Sequence, residues 1–94
     1  MKKAVYNFLI KTGLDNDDIN FICSSYPEFN SVEYKKVIEN AKIVVDYGFP
    51  VEELDYLILV NPGFLLSNTD VLEQILIELG DNIAEKLKNN PLLI

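Results

Sequence analysis

A unit of 35 residues recurs along this sequence. Each copy begins at a glycine, runs through a short amphipathic segment to a proline followed by apolar residues, and ends in a longer amphipathic segment. Gly13 and Gly48 lie 35 residues apart, and Pro27 and Pro62 show the same separation. A shortened third copy begins at Gly80. A period of this length is typical of helical repeat proteins, in which each unit buries its apolar face by stacking on its neighbours.

Apolar residues recur at spacings of three and four, and strict alternation is nowhere sustained. The sequence therefore predicts an all-α fold, a short helical-repeat stack of about two and a half proline-punctuated helix-turn-helix units, with one domain over residues 1–94. We expect six helices, at about residues 3–11, 15–26, 31–47, 50–61, 68–79 and 81–90. Between the fourth and fifth helices, Phe64, Leu65 and Leu66 are predicted to form a 3₁₀ turn that packs inward.

Capping residues support these helix bounds. The predicted N-caps are Asp15, Asn30, Ser67 and Asp81. Glu33 follows Asn30 by three residues, which predicts a capping box at the third helix. Pro50 suits the first turn of the fourth helix, where its missing N–H is not needed. Residues 56–60 of that helix are apolar all round, which predicts cover on both sides in the middle of the stack.

The third helix carries a broad apolar stripe, formed by Tyr34, Val37, Ile38, Ala41, Val44 and Val45. Ile43 and Tyr47 lie about 180 degrees from this stripe by helical spacing, and Ile77 lies among polar residues of the fifth helix. Single exposed apolar residues are common and usually carry no function. If they extend into a patch, these three are candidate contacts for a protein partner.

The third copy of the unit reaches only Leu92, Leu93 and Ile94 after its proline. Repeat arrays normally carry a polar cap at each end. These three apolar residues are therefore expected either to fold back over the fourth and fifth helices or to dock on another chain, and we favour folding back. They complete the predicted set of candidate protein contacts.

Charge and composition exclude several classes of site. Fifteen acidic residues against eight lysines give a net charge of -7, and the chain contains neither arginine nor histidine. Without histidine there is no imidazole base, no histidine metal ligand and no Ser-His or Cys-His pair. The acidic run at residues 15–18 lacks the glycine and the distal glutamate of a calcium loop, so helix capping explains it better. We predict no enzymatic activity, no metal and no cofactor.

The proline-centred turns resemble a known family. Pro62-Gly63-Phe64-Leu65 fits a motif of proline, any residue, hydrophobic, leucine; Pro27-Glu28-Phe29-Asn30 fits except at its last position, and Pro91-Leu92-Leu93-Ile94 fits loosely. Over residues 13–94 the chain resembles the repeats of the mitochondrial transcription termination factor (mTERF) family. The resemblance implies two helices with a 3₁₀ turn in each unit. The period alone also allows a tetratricopeptide-like array, but the position of the proline, after the first helix, argues against it.

The resemblance also implies binding of double-stranded nucleic acid along a concave basic surface. This chain has no arginine for that purpose, and its net charge opposes phosphate contacts. The candidate contacts would be two groups of lysines, at the N-terminus and on the third helix: Lys2, Lys3, Lys11, Lys35, Lys36 and Lys42. Acidic residues nearly cancel the second group. We therefore predict a non-enzymatic interaction module for a protein partner or for self-association, with nucleic-acid binding as the alternative.

The surroundings of the protein are predicted from two observations. Cys23 is the only cysteine, so no disulfide forms within the chain, and we expect Cys23 to be a small core residue in a reducing compartment. The longest apolar stretch, residues 56–60, is far shorter than the roughly 20 residues of a membrane span. We expect a soluble, cytoplasmic protein.

Overall fold

The computed structural model describes all 94 residues, and it contains six α-helices and no strand. The helices are α1 (Lys3–Thr12), α2 (Asn16–Ser25), α3 (Tyr34–Asp46), α4 (Leu54–Val60), α5 (Thr69–Leu79) and α6 (Ile83–Asn89). Four short 3₁₀ segments accompany them: Pro27–Asn30, Val51–Glu53, Pro62–Leu66 and Pro91–Leu93. We call the three that begin with proline the Pro27, Pro62 and Pro91 turns. The predicted all-α fold with six helices is confirmed.

The three proline turns repeat one backbone conformation. The residues before the prolines are Tyr26, Asn61 and Asn90, with φ/ψ of -132/83, -146/66 and -146/88 degrees. Proline excludes helical geometry at the preceding residue, so each short helix ends there. Phe29 and Phe64, two residues after their prolines, are fully buried. Each of these two turns therefore ends a helix and also places an aromatic ring in the core.

Two glycines reverse the chain in the same way. Gly13 and Gly48 have φ of 114 and 117 degrees, a left-handed conformation that favours glycine. The next residues, Leu14 and Phe49, are buried, and each donates its backbone N–H to the carbonyl five residues earlier. This is the Schellman arrangement of a helix C-terminus. It turns an apolar side chain inward at each unit boundary.

The longer helices of successive units pack side by side, α1 against α3 and α3 against α5. The Pro62 turn lies against α3, and α4 contacts both that turn and α1. Nineteen buried hydrophobic residues, drawn from all six helices, form one cluster. Stacking of the units thus builds the core. No helix is both long enough and apolar enough to span a bilayer.

The start of α3 differs from the prediction. The helix begins at Tyr34, and Asn30 instead belongs to the Pro27 turn, where its side-chain amide donates to the carbonyl oxygen of Pro27 at 3.1 Å. Glu33 occupies the N-cap position without a side-chain hydrogen bond. The predicted capping box is therefore wrong, because the 3₁₀ turn that follows Pro27 takes up Asn30.

Of the other three predicted caps, one is confirmed and two are wrong. Asp15 forms a capping box with Asp18, since each side chain accepts a hydrogen bond from the other's backbone N–H at 2.8 and 3.1 Å. Asn68, not Ser67, caps α5. Asp81 does not cap α6, because the N-cap residue is Asn82 in a left-handed conformation with φ of 63 degrees.

The fourth helix is shorter and more exposed than predicted. After Pro50 the chain forms the 3₁₀ segment Val51–Glu53, and α4 begins only at Leu54. Tyr56 and Val60 are exposed, with relative solvent accessibilities of 48% and 41%. The expected cover on both sides is wrong, because neighbours pack against only one face of this helix.

The third helix, by contrast, is covered on two sides. Asn40 is fully buried and donates to two backbone carbonyls in and just after the Pro62 turn. Ile43 is half-buried and packs against the core, and Tyr47 hydrogen-bonds Glu73 of α5. The predicted exposure of Ile43 and Tyr47 is therefore only partly correct, since both are half-buried. The cause is α5, which packs along the side of α3 that the sequence pattern predicted to face solvent.

Candidate docking groove

An apolar cleft of about 260 Å³ opens between α1, α3 and the segment that precedes α4. Its lining residues are Phe8, Ile38, Ala41, Lys42, Val45, Val51 and Leu54. Six of these seven are hydrophobic. The cleft is open to solvent, so an entering side chain would meet an almost entirely apolar surface.

Two further clefts adjoin the first. One is lined by Ala4, Asn7, Phe8, Lys11 and Tyr34. The other is lined by Phe8, Lys11, Thr12, Val51, Glu52 and Leu54. Because Phe8 lines all three clefts, they form one continuous surface. We call it the Phe8 groove.

The groove exists because the apolar stripes of α1 and α3 are wider than the core requires. Val37 and Val44 of α3 are fully buried, whereas Ile38 and Val45, one position further along the chain in each case, are half-buried and line the groove. Phe8 of α1, one position before the buried Leu9, is likewise half-buried. The surplus apolar positions of both helices meet at this groove.

The edge of the groove near α4 is formed by Val51. This side chain is 62% exposed, while Leu54, three residues on, is 4% exposed and lines the same cleft. The 3₁₀ conformation of residues 51–53 holds Val51 at the surface. A side chain that entered the groove would bury Val51 along with Ile38 and Val45.

The charges along the groove differ in sign from those of the whole protein. Its charged lining residues are Lys11, Lys42 and Glu52, in a chain with a net charge of -7. Lys42 forms an exposed ion pair with Asp46 at 3.2 Å, and Lys11 forms none. An exposed pair of this kind contributes at most about 1 kcal/mol. Both ammonium groups are therefore available to an acidic group at the edge of the groove.

A separate cleft, between α3 and α5, has a different chemistry. Its lining residues are Glu39, Lys42, Ile43, Asp46, Tyr47, Thr69 and Glu73. The Tyr47 hydroxyl donates to Oε2 of Glu73 at 3.0 Å. This hydrogen bond raises the pKa of Tyr47 above its ordinary value, and partial burial and the charge of Glu73 act in the same direction. No group of three or more His, Cys, Asp and Glu side chains is arranged to hold a metal ion.

The predicted protein contacts lie outside the Phe8 groove. Ile77 is 53% exposed on α5, and Leu92 and Leu93 are 71% and 38% exposed in the Pro91 turn. Ile94 packs against the core. The side-chain amide of Asn61 donates to the carbonyl of Pro91 at 2.8 Å, which ties this turn to the end of α4. The expected folding back therefore holds for Ile94 alone, and it is wrong for Leu92 and Leu93, which are exposed.

The six predicted lysines do not form one basic surface. Lys2 pairs with Glu33, Lys35 with Glu39 at 3.9 Å, and Lys42 with Asp46. Lys3, Lys11 and Lys36 are exposed and form no ion pair. The structure brings only Lys11 and Lys42 to a common site, and that site is the apolar Phe8 groove.

The sequence analysis missed two central residues of the groove, Phe8 and Val51. One signal for Phe8 was present, because α1 carries more apolar positions than a single buried stripe uses. Val51 was a lone apolar residue between a proline and two glutamates, which gives no signal of its own.

Comparisons of the chain with protein-family models, with curated proteins and with solved structures found no match.

Proposed function

We propose that this protein is a non-enzymatic interaction module that binds a protein partner in the Phe8 groove. The observation that carries the proposal is a continuous groove in which six of the seven residues of its main cleft are hydrophobic. Surface regions of this kind are typical of docking sites, because burying apolar area there supplies the free energy of binding.

The form of the groove favours a macromolecular partner over a small molecule. Small-molecule sites surround most of the ligand and hold it with a few convergent polar groups. The main cleft is open and has Lys42 as its one polar side chain. The lack of histidine argues against acid–base chemistry there. The single cysteine supports a reducing location, and we propose the cytoplasm.

The lysine positions favour protein over nucleic acid as the partner. Phosphate contacts require cations along one face, and only two of the six candidate lysines, Lys11 and Lys42, line a common surface. Base stacking requires exposed aromatic rings beside those cations. In the groove only Tyr34, which is 41% exposed, offers such a ring beside Lys11, since Phe8 is half-buried. The resemblance to termination-factor repeats stays a prediction.

A matched pair of valine variants tests the proposal. Val51 is 62% exposed in the groove, and Val71 is 57% exposed on α5, outside it. Val51→Asp and Val71→Asp make the same chemical change at similar exposure, so both are expected to leave the free energy of unfolding within about 0.5 kcal/mol of the wild type. Circular dichroism in urea checks this first.

Binding partners are then selected from a display library of natural protein segments, with the wild-type protein as bait. The expected result is a set of segments whose dissociation constant rises about tenfold or more with Val51→Asp and less than about twofold with Val71→Asp. Selection of no segment, or of segments that respond equally to both variants, would overturn the proposal.

A further inference from the structure

We infer that the occupant of the Phe8 groove is an amphipathic α-helix of a partner protein, with acidic residues flanking its apolar face. This inference rests on the proposed function and adds the shape and the charge of the partner segment.

The shape of the groove favours a helix over an extended peptide. The protein contains no strand, so it has no sheet edge to which an extended peptide could add by main-chain pairing. The groove instead lies between two helices that pack side by side, α1 and α3. Side chains on such helices form ridges and grooves that accept the side chains of a third helix. A helix therefore matches the surface, and a strand does not.

The other side of α3 illustrates this mode of packing within the protein. There α5 lies along α3 and buries Leu72 and Leu76, four residues apart on one face. A partner helix on the Phe8 groove would use the same spacing of apolar residues, at i, i+4 and i+7. Because the 13 residues of α3 span about 20 Å, about three to four turns of partner helix can contact it.

The charged residues of the groove favour an acidic partner segment. The groove is lined by two lysines and one glutamate, while the whole chain carries fifteen acidic residues and eight lysines. An acidic partner segment is repelled by most of this surface and less so at the groove, where Lys11 is unpaired. Lys11, which has no ion pair, is the stronger candidate for a new one, and Lys42 can exchange Asp46 for a partner carboxylate. Charge complementarity therefore selects acidic flanks.

A second copy of this chain is the competing occupant. Its α2 is itself an acidic helix, with Asp17 and Asp18 in the first turn and Phe21 61% exposed. Sedimentation of the wild type and of Val51→Asp distinguishes this case. A wild-type dimer that Val51→Asp dissociates, and that Val71→Asp does not, would assign the groove to the second copy and overturn the inference.

The direct test is a display selection with random peptides of about 20 residues, counter-selected against Val51→Asp so that only groove-dependent binders remain. The inference expects peptides enriched in Asp and Glu, with apolar residues at i, i+4 and i+7, whose helical circular dichroism increases on binding. Groove-dependent peptides that are basic, neutral or proline-rich would overturn the inference and leave the proposed function standing. The absence of groove-dependent peptides would overturn both.

A matched pair of lysine variants tests the role of charge at the groove. Lys11→Glu reverses a free charge at the groove, and Lys36→Glu reverses a free charge on α3 outside it. For the selected peptides, Lys11→Glu is expected to raise the dissociation constant about tenfold, and Lys36→Glu less than about twofold. The effect of Lys11→Glu is expected to shrink as salt rises. Equal effects of the two variants would refute the role of Lys11.

Discussion

The hydroxyl of Thr69 donates a hydrogen bond of 2.7 Å to the side-chain oxygen of Asn40, across the contact between α5 and α3. The amide nitrogen of Asn40 donates in turn to the carbonyls of Leu65 and Ser67, at 2.9 and 2.8 Å. No buried side-chain polar atom of the protein lacks a partner. This one fully buried side chain therefore holds both the Pro62 turn and the first turn of α5 to α3.

Asn40→Ala is expected to lower the free energy of unfolding by about 3 kcal/mol, because it leaves two carbonyl groups and a hydroxyl without this partner in or near the interior. Thr69→Val removes a single hydrogen bond and is expected to cost about 1 kcal/mol. Urea denaturation measures both. Asn20→Ala, at an exposed position of α2, is the control and is expected to stay within about 0.5 kcal/mol of the wild type. Equal values for Asn40→Ala and Asn20→Ala would contradict the role of Asn40.

Two aspartates that look alike in the sequence are expected to differ in their contribution to stability. Asp15→Ala removes the capping box of α2 and is expected to cost about 1 kcal/mol. Asp81→Ala removes no cap, because the N-cap residue of α6 is Asn82, and is expected to cost less than about 0.5 kcal/mol. Thermal and urea unfolding, followed by circular dichroism, measure the two changes. A larger loss for Asp81→Ala would show that the α6 cap has been misassigned.

The hydrogen bond between Tyr47 and Glu73 predicts a late step in the alkaline titration of the phenols. The folded protein holds the Tyr47 proton more tightly than the unfolded chain does, since the pKa of Tyr47 is raised by Glu73 and by burial. Its stabilising effect is therefore complete below pH about 10 and is lost as the pH rises through the folded-state pKa. The difference in tyrosinate absorbance between the wild type and Tyr47→Phe isolates this group.

Glu73→Gln is the companion variant for that titration. It removes the negative charge and weakens the hydrogen bond, so the midpoint of the Tyr47 step is expected to move toward lower pH. A Tyr47 midpoint at or below about pH 10 in the wild type would contradict the contact with Glu73.

Fluorescence anisotropy of labelled duplex and single-stranded DNA and RNA tests the nucleic-acid alternative. We expect no binding in the micromolar range at physiological salt, because the lysines are paired or dispersed and the net charge is -7. Binding with a steep salt dependence, weakened by Lys11→Glu, would instead favour the function that the termination-factor resemblance implies.

Several features of the fold could be predicted from the sequence because their causes are local. Proline at 27, 62 and 91 ends each short helix whatever surrounds it, and the glycines at 13 and 48 take a left-handed conformation that other residues avoid. The capping box of Asp15 needs only Asp18, three residues away. Six helices and the 35-residue repeat followed from such local preferences together with helical periodicity.

Only the tertiary structure decided which helix faces are buried and where the groove lies. The pattern of α3 predicted one apolar face, yet α5 covers the opposite side as well, burying Asn40 and part of Ile43, while Ile38 and Val45 of the predicted stripe remain partly open. Periodicity reports which residues share a face of a helix, but not how many neighbours that helix has. The number of neighbours depends on contacts between residues far apart in the chain. Because of those contacts, the polar Asn40 is buried and links α3 to its neighbours. The apolar residues that the core does not use line the Phe8 groove.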